Sequence, residues 1–85
     1  MPKILMYTTG VCPYCRMAQH LLEKKGVAIE KIRVDKEPAR RQEMSLRAGG
    51  ATSVPQIFIG DQHIGGYREL AQLETKGELD PLLGL

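Results

Sequence analysis

The sequence predicts an α/β fold, a mixed four-stranded sheet flanked by three helices in the order β-α-β-α-β-β-α. In the first half of the chain, short apolar runs alternate with amphipathic runs, which is typical of a strand–helix–strand unit with parallel strands and a right-handed crossover. In the second half, two short apolar runs flank Gly60-Asp61, a pair typical of the tight turn of an antiparallel hairpin. A sheet of this mixed kind is expected to have helices on both faces.

The first strand and the first helix are predicted from hydrophobic spacing. The nearly continuous apolar run of residues 4–7 ends at Thr8-Thr9-Gly10, as expected for a strand that is buried on both faces. From Pro13 onward the apolar side chains fall at helical spacing, and Lys24-Lys25-Gly26 supplies basic residues followed by a glycine stop. This pattern predicts a helix of about three to four turns.

The next strand and helix follow the same logic. Val27-Ala28-Ile29, together with Ile32 and Val34 in alternation with basic residues, predicts the second strand. Pro38 suits the first position of a second helix, which is expected to run to about Ala48.

The last third of the chain is predicted to hold the hairpin and a third helix. Residues 56–59 and 62–64 form the two strands, and Gly65-Gly66 ends the second of them. Apolar residues at 70, 71 and 73 mark the inner face of a helix that ends near Gly77. Residues 80–83 are expected to form a short capping turn.

Length and composition predict one domain over residues 1–85. The chain is 42% hydrophobic and 26% charged, which is ordinary for a globular protein. No apolar stretch approaches the roughly 20 residues of a membrane span, and the first residues lack the pattern of a secretory signal peptide. We therefore expect a cytoplasmic protein with no membrane partner.

Charge is distributed unevenly, although the formal net charge is only +2. The basic excess lies in the middle of the chain, at Lys31, Arg33, Lys36, Arg40, Arg41 and Arg47. It could attract an anionic small molecule or an acidic partner, but acidic residues are interleaved, as on a solvated helix face. The run contains no aromatic residues and no recognition motif, so nucleic-acid binding is not expected.

Both cysteines of the protein lie in Cys12-Pro13-Tyr14-Cys15, where the first strand gives way to the first helix. A Cys-x-x-Cys pair at the start of a helix predicts a redox dithiol. A disulfide across three residues closes too small a loop to stabilise the fold much. A zinc site is the alternative, but zinc needs four ligands, and His20 and His63 do not fall at finger spacing, so no metal site is predicted.

The two cysteines are predicted to have different roles. A thiolate attacks a disulfide, and the unpaired N–H groups and the helix dipole at a helix start stabilise the thiolate of Cys12. Pro13 has no N–H, so Tyr14 and Cys15 are the expected donors, and Arg16 adds a nearby positive charge. Cys12 is therefore predicted to attack, and the more shielded Cys15 to resolve the mixed disulfide.

Val54-Pro55 precedes the third strand. The proline could be a simple turn device with a trans bond, which is the default. A cis bond would instead turn the peptide group of Val54 toward the dithiol, where it could pair with the backbone of a peptide ligand. The residues leave both isomers open.

Three motifs in order resemble the dithiol glutaredoxin family, in particular its small bacterial members. They are residues 12–15, the run Thr52-Ser53-Val54-Pro55-Gln56-Ile57-Phe58-Ile59, and His63-Ile64-Gly65-Gly66, and the resemblance spans nearly the whole chain. It implies a thioredoxin-like fold, a cis Pro55, and Cys12 as the nucleophile. It also implies glutathione as electron donor and co-substrate, with no tightly bound cofactor.

The resemblance further implies a glutathione groove. Its residues would be Tyr14 beside the sulfur, Val54 with Pro55 and Gln56, and the turn Gly66-Tyr67. The start of the third helix would bind the γ-glutamyl carboxylate through its N–H groups. Gln56, with Arg40 or Arg41, is a candidate for the glycyl carboxylate.

Two positions depart from the family pattern. Arg68 stands where the family usually has an acidic or hydroxyl residue, and Thr9 stands where it commonly has lysine. Gly66-Tyr67-Arg68 is similar to glutaredoxin-like redoxins that take electrons from thioredoxin reductase, which keeps that donor open as an alternative.

The predicted function is glutathione-dependent reduction of protein–glutathione mixed disulfides through Cys12 alone, and of protein disulfides through Cys12 and Cys15, by a monomer. Two further alternatives resemble other uses of the fold. An iron–sulfur cluster module held between two chains with two glutathiones is disfavoured by Pro13 and Cys15. An inactive adaptor is disfavoured by the intact dithiol.

Overall fold

The computed structural model describes residues 2–85. In chain order the elements are β1 (Ile4–Thr8), α1 (Pro13–Lys24), β2 (Glu30–Arg33), α2 (Pro38–Arg47), β3 (Gln56–Ile59), β4 (Gln62–Gly65), α3 (Tyr67–Thr75) and α4 (Leu79–Leu83). The predicted order of strands and of the first three helices is confirmed. Within residues 2–85, no helix is long and apolar enough to cross a bilayer.

The four strands form one mixed sheet in the order β2-β1-β3-β4. β1 pairs in parallel with β2 and antiparallel with β3, and β3 pairs antiparallel with β4. Both predicted kinds of pairing are therefore present. β1 lies inside the sheet, and its end at Thr8 leads directly into the loop before Cys12.

Helices cover both faces of the sheet, as predicted. On one face, α1, α3 and α4 pack on alternate strand residues such as Met6 and Ile57, and α1 contributes the fully buried Leu22. On the other face, Met44 of α2 packs against a second set of residues that includes Tyr7 and Phe58. Because every residue of β1 is buried, the two cores together hold the strand that precedes the dithiol.

The second strand is shorter than predicted, because β2 covers only residues 30–33 of the predicted stretch 27–34. Pairing of β2 with β1 begins at Glu30, which lies opposite Leu5, so residues 27–29 precede the ladder. Val27 nevertheless is buried in the first core. Val27 is hydrophobic because the segment between α1 and β2 packs on the first core, and not because it pairs with β1.

The predicted C-terminal capping turn is a fourth helix, α4. Leu79 and Leu83 lie four residues apart, and both are fully buried in the first core. Lys25, which follows α1, forms ion pairs with Glu74 of α3 at 2.7 Å and with Asp80 of α4 at 2.8 Å. The end of the chain is thereby fixed against α1 and α3.

Candidate active site

The dithiol lies at the start of α1. Cys12 is the N-cap residue with an extended backbone, Pro13 occupies the first turn, where its missing N–H costs nothing, and Cys15 follows inside the helix. The two sulfurs are joined in a disulfide, with the Cα atoms 5.2 Å apart. The N–H of Cys15 points at the Sγ of Cys12, at an N–S distance of 3.2 Å.

This amide is one of the two donors that the sequence predicts for the sulfur. Among the hydrogen bonds of residues 2–85, none joins the N–H of Tyr14 to Cys12. The N–H of the third helical residue, here Cys15, is the one that reaches the cap side chain. Arg16 donates its backbone N–H to the carbonyl of Cys12 at 3.1 Å, which is the first hydrogen bond of the helix, and its side chain is exposed.

Cys12 is more exposed to solvent than Cys15: their relative exposures are 9% and 3%, respectively. The surface next to Cys12 carries exposed apolar side chains, namely Val11, Tyr14 and Met17. Cys12 is thus the more accessible of the two cysteines, although both are largely buried.

The loop before β3 lies against the dithiol. The Val54–Pro55 peptide bond is cis, as the family resemblance implies. The carbonyl oxygen of Val54 lies 3.9 Å from the Sγ of Cys12. Because a disulfide sulfur carries no proton, this is a van der Waals contact in the oxidised protein.

A buried amide fixes this loop. The Nε2 of Gln56 donates to the carbonyl of Ser53 at 3.0 Å, and the Oε1 of Gln56 lies 2.7 Å from the Nε2 of His63. Since a carbonyl can only accept, the Gln56 oxygen must face His63, whose Nε2 therefore carries a proton. The sequence assigns His63 no role. Its contact with Gln56 forms only when the hairpin brings β3 and β4 together.

A groove of about 930 Å³ runs along α3, and its lining includes Val54, the residue whose carbonyl contacts Cys12. The six residues that the resemblance implies for glutathione binding all line it: Tyr14, Val54, Pro55, Gln56, Gly66 and Tyr67. At the sulfur end, the rings of Tyr14 and Tyr67 stack with centroids 6.3 Å apart and planes inclined at 29°. The structure therefore brings these residues together in one concave site.

Arg40 and Arg41 of α2, the two candidates for the glycyl carboxylate, are not among the residues that line this groove. Arg40 pairs with Glu43 of its own helix, with N and O 3.1 Å apart. Arg41 donates to the carbonyl of Thr52 at 3.1 Å. Arg41 thus contacts the loop whose next residues, Ser53 and Val54, line the groove. The assignment of Arg40 or Arg41 to the glycyl carboxylate stays a prediction.

The start of α3 already binds one carboxylate. The N–H of Gly66 donates to Oε1 of Glu69 at 2.7 Å. Glu69 thus caps its own helix, as an acidic residue in a first turn commonly does. Arg68, the residue that departs from the family pattern, lines the groove next to it.

Two polar contacts support the strand and the loop before Cys12. The hydroxyl of Tyr7 donates to Glu43 at 2.5 Å and accepts from Arg47 at 3.0 Å. Burial, followed by the bond to Glu43, raises the pKa of Tyr7, and that same bond lowers the pKa of Glu43. These contacts fasten α2 to the back of β1.

The second contact fixes the loop itself. The N–H of Gly10 donates to Oδ2 of Asp35 at 3.2 Å, and the guanidinium of Arg33 binds the same carboxylate at 2.8 and 2.7 Å. The hydrogen bonds from Arg33 hold the pKa of Asp35 well below its usual range. Asp35 is therefore a charged anchor for Gly10, which lies two residues before Cys12 in the chain.

Comparison with known proteins decides the family. The model of the glutaredoxin family matches residues 4–64, which is more than half of the chain. The chain belongs to the glutaredoxin family. It is 48% identical over 83 residues to a glutaredoxin of Pseudomonas aeruginosa, covering 98% of each chain. It is 47% identical over 83 residues to glutaredoxin 3 of Escherichia coli, covering 98% of this chain and 99% of that protein.

The fold agrees with this assignment. The crystal structure of a buckwheat glutaredoxin–glutathione complex superposes with a TM-score of 0.89 at 27% identity, covering 98% of this chain and 77% of that chain. The predicted thioredoxin-like fold and family are confirmed. Glutaredoxins are thiol–disulfide oxidoreductases that depend on glutathione, and this chain is an enzyme of that class.

Within residues 2–85, no three His, Cys, Asp or Glu side chains come together as metal ligands.

Proposed function

We propose that the groove beside Cys12 binds the glutathione part of protein–glutathione mixed disulfides, and that Cys12 reduces them. One observation supports this most strongly: the groove that contains the six candidate residues begins at Tyr14 and Val54, next to the sulfur. A glutathione sulfur bound at that end of the groove would lie beside Cys12. Ligand sites are commonly concave, with a few polar groups that fix orientation.

In the first step the Cys12 thiolate attacks the glutathione sulfur of the mixed disulfide. The old S–S bond breaks, and the substrate protein leaves as a thiolate that takes a proton from water. A second glutathione, as its thiolate, then attacks the glutathione sulfur bound to Cys12. Oxidised glutathione leaves, and the Cys12 thiolate is regenerated.

Protein disulfides use both cysteines. Cys12 attacks one sulfur of the substrate and forms a mixed disulfide, and Cys15 then loses its proton and attacks the sulfur of Cys12. The substrate leaves with two reduced thiols, and the enzyme is left with the Cys12–Cys15 disulfide seen in the structure. Two glutathione molecules reduce this disulfide and become oxidised glutathione.

The groove offers backbone groups for the ends of glutathione. The peptide of Val54 is available to pair with the cysteinyl residue as an added strand would. The first intrahelical bond of α3 is from Leu70 N to Gly66 O, so the N–H groups of Tyr67 and Arg68 have no partner within the helix. They can donate to the γ-glutamyl carboxylate. For the glycyl end the family resemblance implies Gln56, whose side chain is buried and already donates to Ser53.

The test is reduction of a glutathionylated peptide by the wild type, Cys12→Ser and Cys15→Ser, with glutathione and glutathione reductase as the electron supply. We expect no activity above background for Cys12→Ser, because the attacking sulfur is missing. Cys15→Ser should keep or exceed the wild-type rate, since the monothiol cycle does not need Cys15. With a protein disulfide as substrate, both variants should be inactive.

Loss of the glutathionylated-peptide activity in Cys15→Ser would contradict the proposal. Replacing glutathione and its reductase by thioredoxin reductase identifies the donor: the proposal expects the rate to fall to background. The proposal includes the monomeric state and the cytoplasmic location that the sequence predicts.

A further inference from the structure

The groove extends beyond the six glutathione candidates along one face of α3. Arg68, Gln72 and Lys76 all line it, and all three side chains are exposed. They are spaced four residues apart, which places them in a row on one side of a helix. We call this row the α3 stripe; it has a cation at each end and an amide between them.

Both cations of the α3 stripe are available to a ligand. Neither Arg68 nor Lys76 has an ion-pair partner among residues 2–85. Of the two acidic residues of α3, Glu74 binds Lys25 on the side that faces α1. Glu69 lines the groove and accepts from the N–H of Gly66. Two cations and one carboxylate of α3 therefore line the groove, which leaves an excess of positive charge.

Arg68 lies at an unusual place for a cation. It is the second residue of α3, where the positive end of the helix dipole favours acidic side chains. An arginine there does not help the helix, but it adds its charge to the dipole and the unpaired N–H groups at the same corner of the groove. The combined positive potential attracts an anionic group.

We propose that the α3 stripe binds an acidic, extended segment of the substrate protein, so that the enzyme prefers substrates with two carboxylates four residues apart. Arg68 and Lys76 are eight positions apart, which corresponds to about 12 Å along a helix. Four residues of extended chain span about 13 Å, and side chains four apart point to the same face. Gln72 lies between the two cations and can bond to the intervening backbone. The assignment of this segment to a redox substrate rests on the proposed function.

The kinetic test uses glutathionylated peptides that differ in one flank. One peptide carries Glu-x-x-x-Glu, a second carries Gln-x-x-x-Gln, and a third carries two adjacent glutamates, which point to opposite faces of an extended chain. We expect the wild type to favour the first over the second by about fivefold in kcat/KM, because each exposed ion pair contributes only modestly. The third peptide should be slower than the first.

Charge reversal separates the stripe from overall charge. Arg68→Glu and Lys76→Glu should each reduce the preference, and added salt should reduce it in the wild type. Lys31→Glu is the matched control, because it changes the net charge equally on an exposed residue of β2, at the opposite edge of the sheet. It should keep the preference. Lys31→Glu and Lys76→Glu should reduce the glutamine peptide at the wild-type rate. Arg68→Glu is compared only by the ratio of its rates with the two peptides, because Arg68 lies beside the proposed γ-glutamyl site.

A binding measurement keeps the inference testable if the redox proposal fails. Cysteine-free versions of the peptides are added to the ¹⁵N-labelled protein, and amide shifts are followed by NMR. We expect shifts along α3 with the spaced glutamate peptide and not with the glutamine peptide. Equal shifts with both, shifts elsewhere, or an unchanged preference in both Arg68→Glu and Lys76→Glu would overturn the assignment. A failure to reduce any glutathionylated peptide would overturn the proposed function alone.

Discussion

At the scale of the residue, the sulfur of Cys12 is stabilised as an anion by its place at a helix start. A hydrogen bond to a charged acceptor is worth about 1.5–3 kcal/mol, and the helix dipole adds about 0.3–1 kcal/mol. One pKa unit corresponds to about 1.4 kcal/mol. The N–H of Cys15, at 3.2 Å from the sulfur, together with the dipole therefore lowers the pKa of the Cys12 thiol in the reduced protein from its ordinary value of about 8.5.

Asp35 is a second residue whose charge matters, through the loop before Cys12. Its pKa is lowered in the native protein, so the carboxylate favours folding at a pH above its unfolded value of about 3.9. This contribution is lost as the pH falls through the native pKa. We predict that Asp35→Asn lowers the urea midpoint at pH 6, and that the difference from the wild type shrinks at pH 3.

Asp61→Asn is the matched control for this measurement. Asp61 lies in the exposed turn between β3 and β4 and has no ion-pair partner within residues 2–85. Its replacement should leave the midpoint nearly unchanged at both pH values. A difference between the wild type and Asp35→Asn that grows on acidification would show that the Gly10–Asp35–Arg33 contacts do not stabilise the fold in this way.

At the scale of the element, the junction of β4 and α3 depends on Gly65. Its φ is +113°, a backbone conformation that side chains disfavour, and an added Cβ would lie 2.7 Å from Oε1 of Glu69. That carboxylate caps α3 through Gly66. One residue therefore controls both the end of the strand and the start of the helix that lines the groove.

We predict that Gly65→Ala lowers the free energy of unfolding by about 3 kcal/mol, as measured by urea denaturation. The matched variant is Gly26→Ala, where φ is +78° but no atom lies within 4 Å of the added Cβ. Its cost should be about 1–2 kcal/mol, which is the backbone term alone. Equal destabilisation by the two substitutions would show that displacement of Glu69 costs nothing.

At the scale of the whole molecule, the order of the elements is predictable because each has a local hydrophobic period. The errors have long-range causes. The apolar residues 27–29 look like a strand, but the register of β2 is set by Leu5 opposite Glu30. Leu79 and Leu83 have helical spacing, yet a single turn becomes a helix only because the first core receives both side chains.

The candidate site also has one part that the sequence predicts and one part that it does not. The arrangement of Cys12 and Cys15 is predictable because it lies within four residues and one helix start. The anchors behind it are not, since Tyr7 meets Glu43 36 residues away and Gly10 meets Asp35 25 residues away. Within an apolar run, Tyr7 is indistinguishable from any other core residue until the fold brings α2 to its hydroxyl.

The most direct test of the central claim is the titration of the Cys12 thiolate in reduced Cys15→Ser, followed by its ultraviolet absorbance and by its rate of alkylation. The matched control is reduced Cys12→Ser, in which Cys15 should titrate near the ordinary value of about 8.5. We predict a midpoint for Cys12 below about 7, so that the anion predominates near neutral pH. A midpoint for Cys12 at about 8.5, equal to that of Cys15, would contradict it.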